Sequence, residues 1–330
     1  MVVGGPEMTP EGVSTLAQPP LFLVGCSRSG TTLLRLVLDS SPDIAIPYES
    51  HFIPPVWKKR ARYETDAGLD LVALCQDVLT SRWFKGWQIP AKLVTEHLAT
   101  LQAPTLTRAL EAIFLTYAAY HGKVRWGDKT PGYVRHIPML AEIFPEARFI
   151  HIIRDGRDVA LSMMDAGARW GGPRTIPAIA AYWATRVREG RTGGRALAPM
   201  RYMEVHYESL VQEPELTLRG ICAFADLHYE GEMLEFSDRA FHAIPSDRMS
   251  FHANLVKPIT QGLRDWRSQM SPRQVALFEA VAGPDLEAMG YLRACRTRPL
   301  SVRIEAFGAL KAGAVVRRSR RLFLHSRSKP

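Results

Sequence analysis

A chain of 330 residues that is 46% hydrophobic is long enough to bury a large core, which excludes a disordered or fibrous protein. The net charge of +9 invites a nucleic-acid reading, but 11 basic residues and one acidic residue lie between Tyr291 and Pro330, leaving 31 basic against 32 acidic side chains before them. A near-neutral body argues against nucleic acid as a partner, and the basic tail, 293–330, reads as a solvated or surface-binding extension.

In chain order, residues 1–19 hold Gly, Pro, Ser and Thr with no basic start and no long apolar run, so they read as a disordered leader and not as a signal peptide. No run of about 18 apolar residues occurs anywhere, and no spanning helix is expected. Cys26, Cys75, Cys222 and Cys295 are scattered without metal-ligand or disulfide spacing, which fits a reducing cytoplasm and predicts no metal site.

Leu21-Phe-Leu-Val24 is an apolar run read as a strand buried on both faces, and Leu33, Leu34, Leu36, Val37 and Leu38 follow at helical spacing. Between them runs Gly25-Cys-Ser-Arg28-Ser29-Gly30-Thr31-Thr32, a loop suited to an anion because backbone N–H groups, a helix N-terminus, hydroxyls and Arg28 converge. Thr31 stands where a nucleotide-triphosphate loop places its lysine, so a γ-phosphate would lack its usual partner.

Ile44-Ala-Ile46 reads as a second strand that delivers Glu49 and His51 to its carboxyl end, where open parallel sheets bind ligands. Residues 52–120 carry helical periodicity with interspersed Trp57, Trp83, Phe84 and Trp87, and read as a helical insertion that shapes an acceptor pocket or simply packs a core. Val124 begins a third strand that ends on Lys129, aimed by the turn at Pro131. A helix over His136–Phe144 leads to the strand Arg148–Ile153, and then to Arg154 and Ser162, just over two helical turns apart and able to reach one phosphate between them. Further helices are predicted over Ile176–Arg188, ending before a break at Gly193-Gly194, and over Pro214–Leu227, Glu230–Ala240 and Ser271–Met289, with a fifth strand from Tyr202. The fold class is α/β: a P-loop-like parallel sheet of about five strands flanked by helices, in one domain over 20–292.

The run from Arg28 through Asp43, R-S-G-T-T-L-x-R-x-x-L-D-x-x-P-D followed by Glu49, resembles sulfotransferases that use 3′-phosphoadenylyl sulfate, and most resembles the protein-tyrosine sulfotransferases and their bacterial relatives. The resemblance implies that Arg28, Ser29, Gly30, Thr31 and Thr32 hold the 5′-phosphosulfate, that Arg154 and Ser162 hold the 3′-phosphate, and that Tyr207 of V-H-Y-E-x-L lines the nucleotide site. It further implies Glu49 as general base, Lys129 on the sulfonate, and Ser250, upstream of Lys257-Pro258, in an assisting role. The interval from that proline to Trp266 is one residue shorter than the family's, which leaves open whether Lys257, Arg264 or Arg267 reaches the nucleotide. His51 competes with Glu49, since residues two apart in an extended segment share a face.

The implied reaction moves a sulfuryl group to an acceptor hydroxyl on a small molecule, a lipid, a carbohydrate or a protein tyrosine, without a metal. A P-loop kinase or NTPase using ATP and Mg²⁺, and a basic interaction protein touching anionic membranes through its tail, are the alternatives. The location expected is cytoplasmic or membrane-associated.

Overall fold

A computed structural model describes residues 18–167, 171–236 and 264–295, and in the C-terminal segment residues 300–302, 304–308 and 310. β1 (Leu21–Gly25) is buried along its whole length, as an uninterrupted apolar run requires when both faces are covered. It enters the loop that begins α1 (Thr31–Asp39), and β2 (Ile44–Ala45) follows. The insertion comprises α2 (Ile53–Lys58), a hairpin of β3 (Glu64–Thr65) and β4 (Gly68–Leu69), α3 (Leu71–Leu79), α4 (Arg82–Lys85), α5 (Ala91–Ala99) and α6 (Leu106–Tyr120). Then come β5 (Arg125–Lys129), α7 (Ile137–Ile143), β6 (Arg148–Ile153), α8 (Gly156–Ala166), α9 (Ile176–Arg195), β7 (Tyr202–His206), α10 (Tyr207–Gln212) and α11 (Pro214–Ala225). After the interval 237–263 the chain resumes as α12 (Trp266–Gln269) and α13 (Pro272–Ala288).

Five strands form one sheet in the order β2-β5-β1-β6-β7, every pair parallel. The α/β class, the five strands and the flanking helices read from the sequence are therefore present. Because successive side chains point to opposite faces, Phe22 and Val24 join Trp126, Phe149 and the insertion in one core, while Leu21 and Leu23 join α1, α10 and α11 in another. Phe114 of α6 stacks on Trp126 at 4.4 Å between centroids, which fastens the insertion to the sheet. A third core joins α8, α9 and α13. Among the described residues, no helix is long and apolar enough to cross a membrane.

Gly193-Gly194 does not break the chain; α9 runs through it to Arg195. The glycines are there for space. A Cβ on Gly194 would lie 2.1 Å from the Tyr202 ring, and one on Gly193 3.0 Å from Pro138. The helix expected over Glu230–Ala240 is a short 3-10 turn at Gly231–Glu235, and residues from 237 lie outside the described part. The tail's first residues pack on the body: Ala294 and Cys295 donate their N–H groups to Glu279, at 2.9 and 2.8 Å.

Candidate active site

The carboxyl ends of β1, β5, β6 and β7 share one edge of the parallel sheet, the edge at which open α/β sheets form their ligand crevice, and the loop after β1 lies there. Arg28 and Gly30 both adopt left-handed backbone, φ 73° and 97°. At Gly30 a Cβ would also stand 2.4 Å from the Tyr207 ring, so the motif glycine is required twice over, for conformation and for space. Thr31 and Thr32 open α1, whose first N–H groups have no partner within the helix and carry its positive dipole end. Ser29 is fully buried, and its Oγ has no hydrogen-bond partner among the described residues.

Two motifs 134 residues apart meet here. Arg28 donates from Nε to Ser162 Oγ at 3.0 Å. Arg154, at the end of β6, lies with its guanidinium 4.2 Å over the Tyr207 ring and 4.0 Å from Asp158 Oδ2, and its Nε has no partner among the described residues. Arg264 adds a third cation, bonded to Asp165 at 2.6 Å. Burial pulls the Arg28 guanidinium below its ordinary range, and the charges of Arg264 and Arg154 push the same way. Three crowded guanidiniums and a buried orphan hydroxyl form a cradle that fits a multiply charged anion.

The other side of the crevice holds a carboxylate. Glu49 accepts from Lys129 Nζ on Oε1 at 3.0 Å and from His51 Nε2 on Oε2 at 2.6 Å. Burial alone would raise its carboxyl, but the Lys129 charge and the His51 and Lys129 hydrogen bonds outweigh it and hold the group well below the usual carboxylate range. Lys129 is fully buried at the end of β5, near Thr32 Oγ1 at 3.4 Å and over the Tyr48 ring at 4.6 Å. Its neighbour Asp128 points away from this pair; burial pushes that carboxyl up to about 6, against the pull of the Ser50 and Thr130 hydroxyls.

The segment carrying Glu49 is braced residue by residue. Trp87 Nε1 donates to the Tyr48 carbonyl at 2.7 Å, Ser50 N donates to Thr130 Oγ1 at 3.0 Å, and the Tyr133 hydroxyl joins Ser50 Oγ at 2.9 Å and accepts from Ile53 N at 3.1 Å. On the arginine side, Asp155 caps α8 and holds Arg157, whose Nη1 reaches the buried Glu279 at 2.7 Å. Trp266 covers Arg157 at 3.6 Å, and its backbone N–H donates to Asp158 Oδ1 at 2.8 Å; burial pushes the Asp158 carboxyl up to about 6, against the opposing pull of Arg154 and of that hydrogen bond.

The family model described as the Sulfotransferase family matches residues 19–231, almost two thirds of the chain. The chain belongs to the sulfotransferase family. This sulfotransferase is 27% identical over 295 residues to protein-tyrosine sulfotransferase 1 of Danio rerio, a match that covers 83% of this chain and 72% of the relative. It is 26% identical over 282 residues to the protein-tyrosine sulfotransferase of Drosophila melanogaster, covering 83% of this chain but only 52% of the fly protein. Among solved structures, the sulfotransferase domain of the Synechococcus PCC 7002 olefin synthase superposes with a TM-score of 0.59 at 25% identity, over 87% of this chain and 99% of that domain.

Of the residues singled out in the sequence, Arg28, Ser29, Gly30, Thr31, Arg154, Ser162, Tyr207 and Arg264 gather on the arginine side, Glu49, His51 and Lys129 on the other, and Thr32 joins the two through its contact with Lys129. Ser250 and Lys257 lie outside the described residues. Sequence reasoning missed Asp158 and Tyr48, and named Trp83 only as one of the insertion's aromatics, not as a partner of His51. Asp158 carried a signal, since it stands four residues after Arg154 at a helix start, where opposite charges meet.

Proposed function

We propose that this sulfotransferase takes the sulfuryl group from 3′-phosphoadenylyl sulfate, which supplies an activated sulfonate on a phosphate leaving group, and gives it to an acceptor hydroxyl. The observation that carries the reading is the crowding of Arg28, Arg154 and Arg264 at the loop whose buried Ser29 hydroxyl has no hydrogen-bond partner among the described residues, with the ionised Glu49 carboxylate on the other side. The loop Arg28–Thr32 would hold the 5′-phosphosulfate, with Arg154 and Ser162 on the 3′-phosphate, Tyr207 on the nucleotide, and Arg264 or Lys257 closing over it. Glu49 takes the acceptor's proton as its oxygen bonds to sulfur, while Arg28 and Lys129 offset charge on the departing phosphate and the sulfonate, with Ser250 assisting. No metal has a part in this scheme. An ATP-dependent phosphotransferase would leave Thr31 in the place of its loop lysine and Arg154 without an anion.

The test is transfer of label. Label should pass from ³⁵S-labelled 3′-phosphoadenylyl sulfate to phenolic, carbohydrate or lipid acceptors in the presence of EDTA, and none from γ-labelled ATP with Mg²⁺; the opposite pattern would overturn the reading. A cytoplasmic protein that touches anionic membranes is the accompanying proposal for location. It is favoured by Leu292, Leu300, Ile304 and Phe307, all at least half exposed next to a basic tail, each basic residue contributing about 1 kcal/mol near a bilayer. Flotation with anionic liposomes should recover the full chain and lose a chain ending at Leu292.

A further inference from the structure

Glu49 is gripped by two donors, and only one of them stays available throughout the proposed reaction. Lys129 holds Oε1 at rest, yet in the proposed mechanism the same ammonium serves the sulfonate. A carboxylate left with no second contact would be able to turn after its lysine.

His51 supplies that second contact by an unusual route. Its backbone is left-handed, φ 54°, a conformation that non-glycine residues seldom adopt, and this folds the ring back toward the residue two positions before it. An ionised carboxylate only accepts hydrogen bonds, so the 2.6 Å contact to Oε2 places a proton on Nε2 of the imidazole. The ring plane is fixed in turn: Trp83 of α4 stacks on it at 3.9 Å and 29°, and Tyr133 meets it edge-on at 6.4 Å. Ser50 and Ile53, on either side, are tied to Thr130 and Tyr133 as described above, which holds the left-handed turn in place.

We infer that His51 is a positioning residue for sulfuryl transfer, fixing Glu49 Oε2 through its Nε2–H while Trp83 fixes His51, so that the insertion takes part in placing the base. This rests on Glu49 being the base. It assigns His51 no proton from the acceptor; a misplaced base alone can cost about 100-fold in rate.

Two arms test it. In the first, transfer to 2-naphthol, a phenol of ordinary acidity, is followed in His51→Ala, His51→Gln and Glu49→Gln. His51→Ala is expected to lose about 10–100-fold in kcat with affinity for adenosine 3′,5′-bisphosphate within about twofold of the parent, and His51→Gln, which restores an N–H near the same place, to recover most of the loss. Equal losses in both His51 variants with weakened nucleotide binding, or parental kcat in His51→Ala, would overturn the inference. Full turnover in Glu49→Gln would instead remove the base from Glu49, and with it the reading beneath.

The second arm needs no acceptor. In ¹⁵N-histidine-labelled full chain, one imidazole Nε2–H proton, assigned by its loss in His51→Gln, should resonate far downfield and move upfield in Glu49→Gln. A His51 signal indifferent to Glu49→Gln overturns the inference whatever the kinetics show.

Discussion

The two sides of the crevice are opposites in their electrostatic state. Around Glu49 charges are matched at short range, with one carboxylate between a lysine and a histidine, and the Tyr48 carbonyl and the Ser50 and Ile53 N–H groups beside it are tied down. Around Arg154 three guanidiniums crowd together: Arg28 is depressed by burial and by two other guanidiniums, Arg264 pairs with Asp165, and Asp158, beside Arg154, is itself driven toward neutrality by burial. In the proposed function the Glu49 side is finished before substrate comes, and the arginine side is the one that takes up the nucleotide. A base has to be placed before substrate arrives, whereas an anion site binds tightly by leaving its positive charge incompletely compensated until the anion comes.

The largest effect expected is on the finished side. Glu49→Gln keeps shape and removes charge, so turnover should fall by about two to four orders of magnitude while affinity for adenosine 3′,5′-bisphosphate barely changes. A loss of nucleotide affinity equal to the loss of turnover would erase the distinction between the two sides.

Next comes the anchor beneath the open side. Arg157, 1% exposed, joins Asp155 to Glu279 and through it the segment at Ala294 and Cys295. Arg157→Leu leaves the buried Asp155 without its cation and Glu279 with only the more distant Arg293, at 3.9 Å, and should lower unfolding free energy by about 3–5 kcal/mol in urea titrations. Unchanged stability would mean that the network is relaxed by water and does not hold the arginine side in place.

The smallest effect is a pH dependence. Asp158 titrates at about 6, raised above the ordinary carboxylate value, so it is neutral below that pH and negative above it. Its negative charge competes with a bound phosphate for Arg154. Asp158→Asn is therefore expected to bind the bisphosphate a few-fold more tightly than the parent well above pH 6, and equally well below about pH 5. A constant ratio across this range would show that the carboxylate does not titrate there.

Much of this was legible in the sequence for a physical reason. Strands buried on both faces are predominantly apolar, which made Leu21–Val24 and Phe149–Ile153, with His151 its one polar residue, plain, and strand-end residues of a parallel sheet share one edge, which placed Arg28, Lys129 and Arg154 together. Contacts between distant segments left no such mark. The Arg28–Ser162 bond spans 134 residues, and the Trp83–His51 stack joins an insertion to a loop through a left-handed residue that no periodicity signals. The hairpin β3–β4 has two exposed or half-exposed residues per strand and no apolar alternation to betray it. Gly193-Gly194 misled because glycine's local preference for breaking helices is weak beside the room it leaves for the Tyr202 ring.

In the proposed function the arginine side takes a nucleotide carrying a phosphate beyond the 5′ position. The decisive measurement is calorimetry of adenosine 3′,5′-bisphosphate against 5′-AMP, in the parent chain and in Arg154→Ala. The bisphosphate should be preferred by about 1.5–3 kcal/mol, the worth of a charge-assisted hydrogen bond, and the preference should collapse in Arg154→Ala. Equal affinity for the two nucleotides in the parent, or a preference that survives the loss of Arg154, would contradict the account.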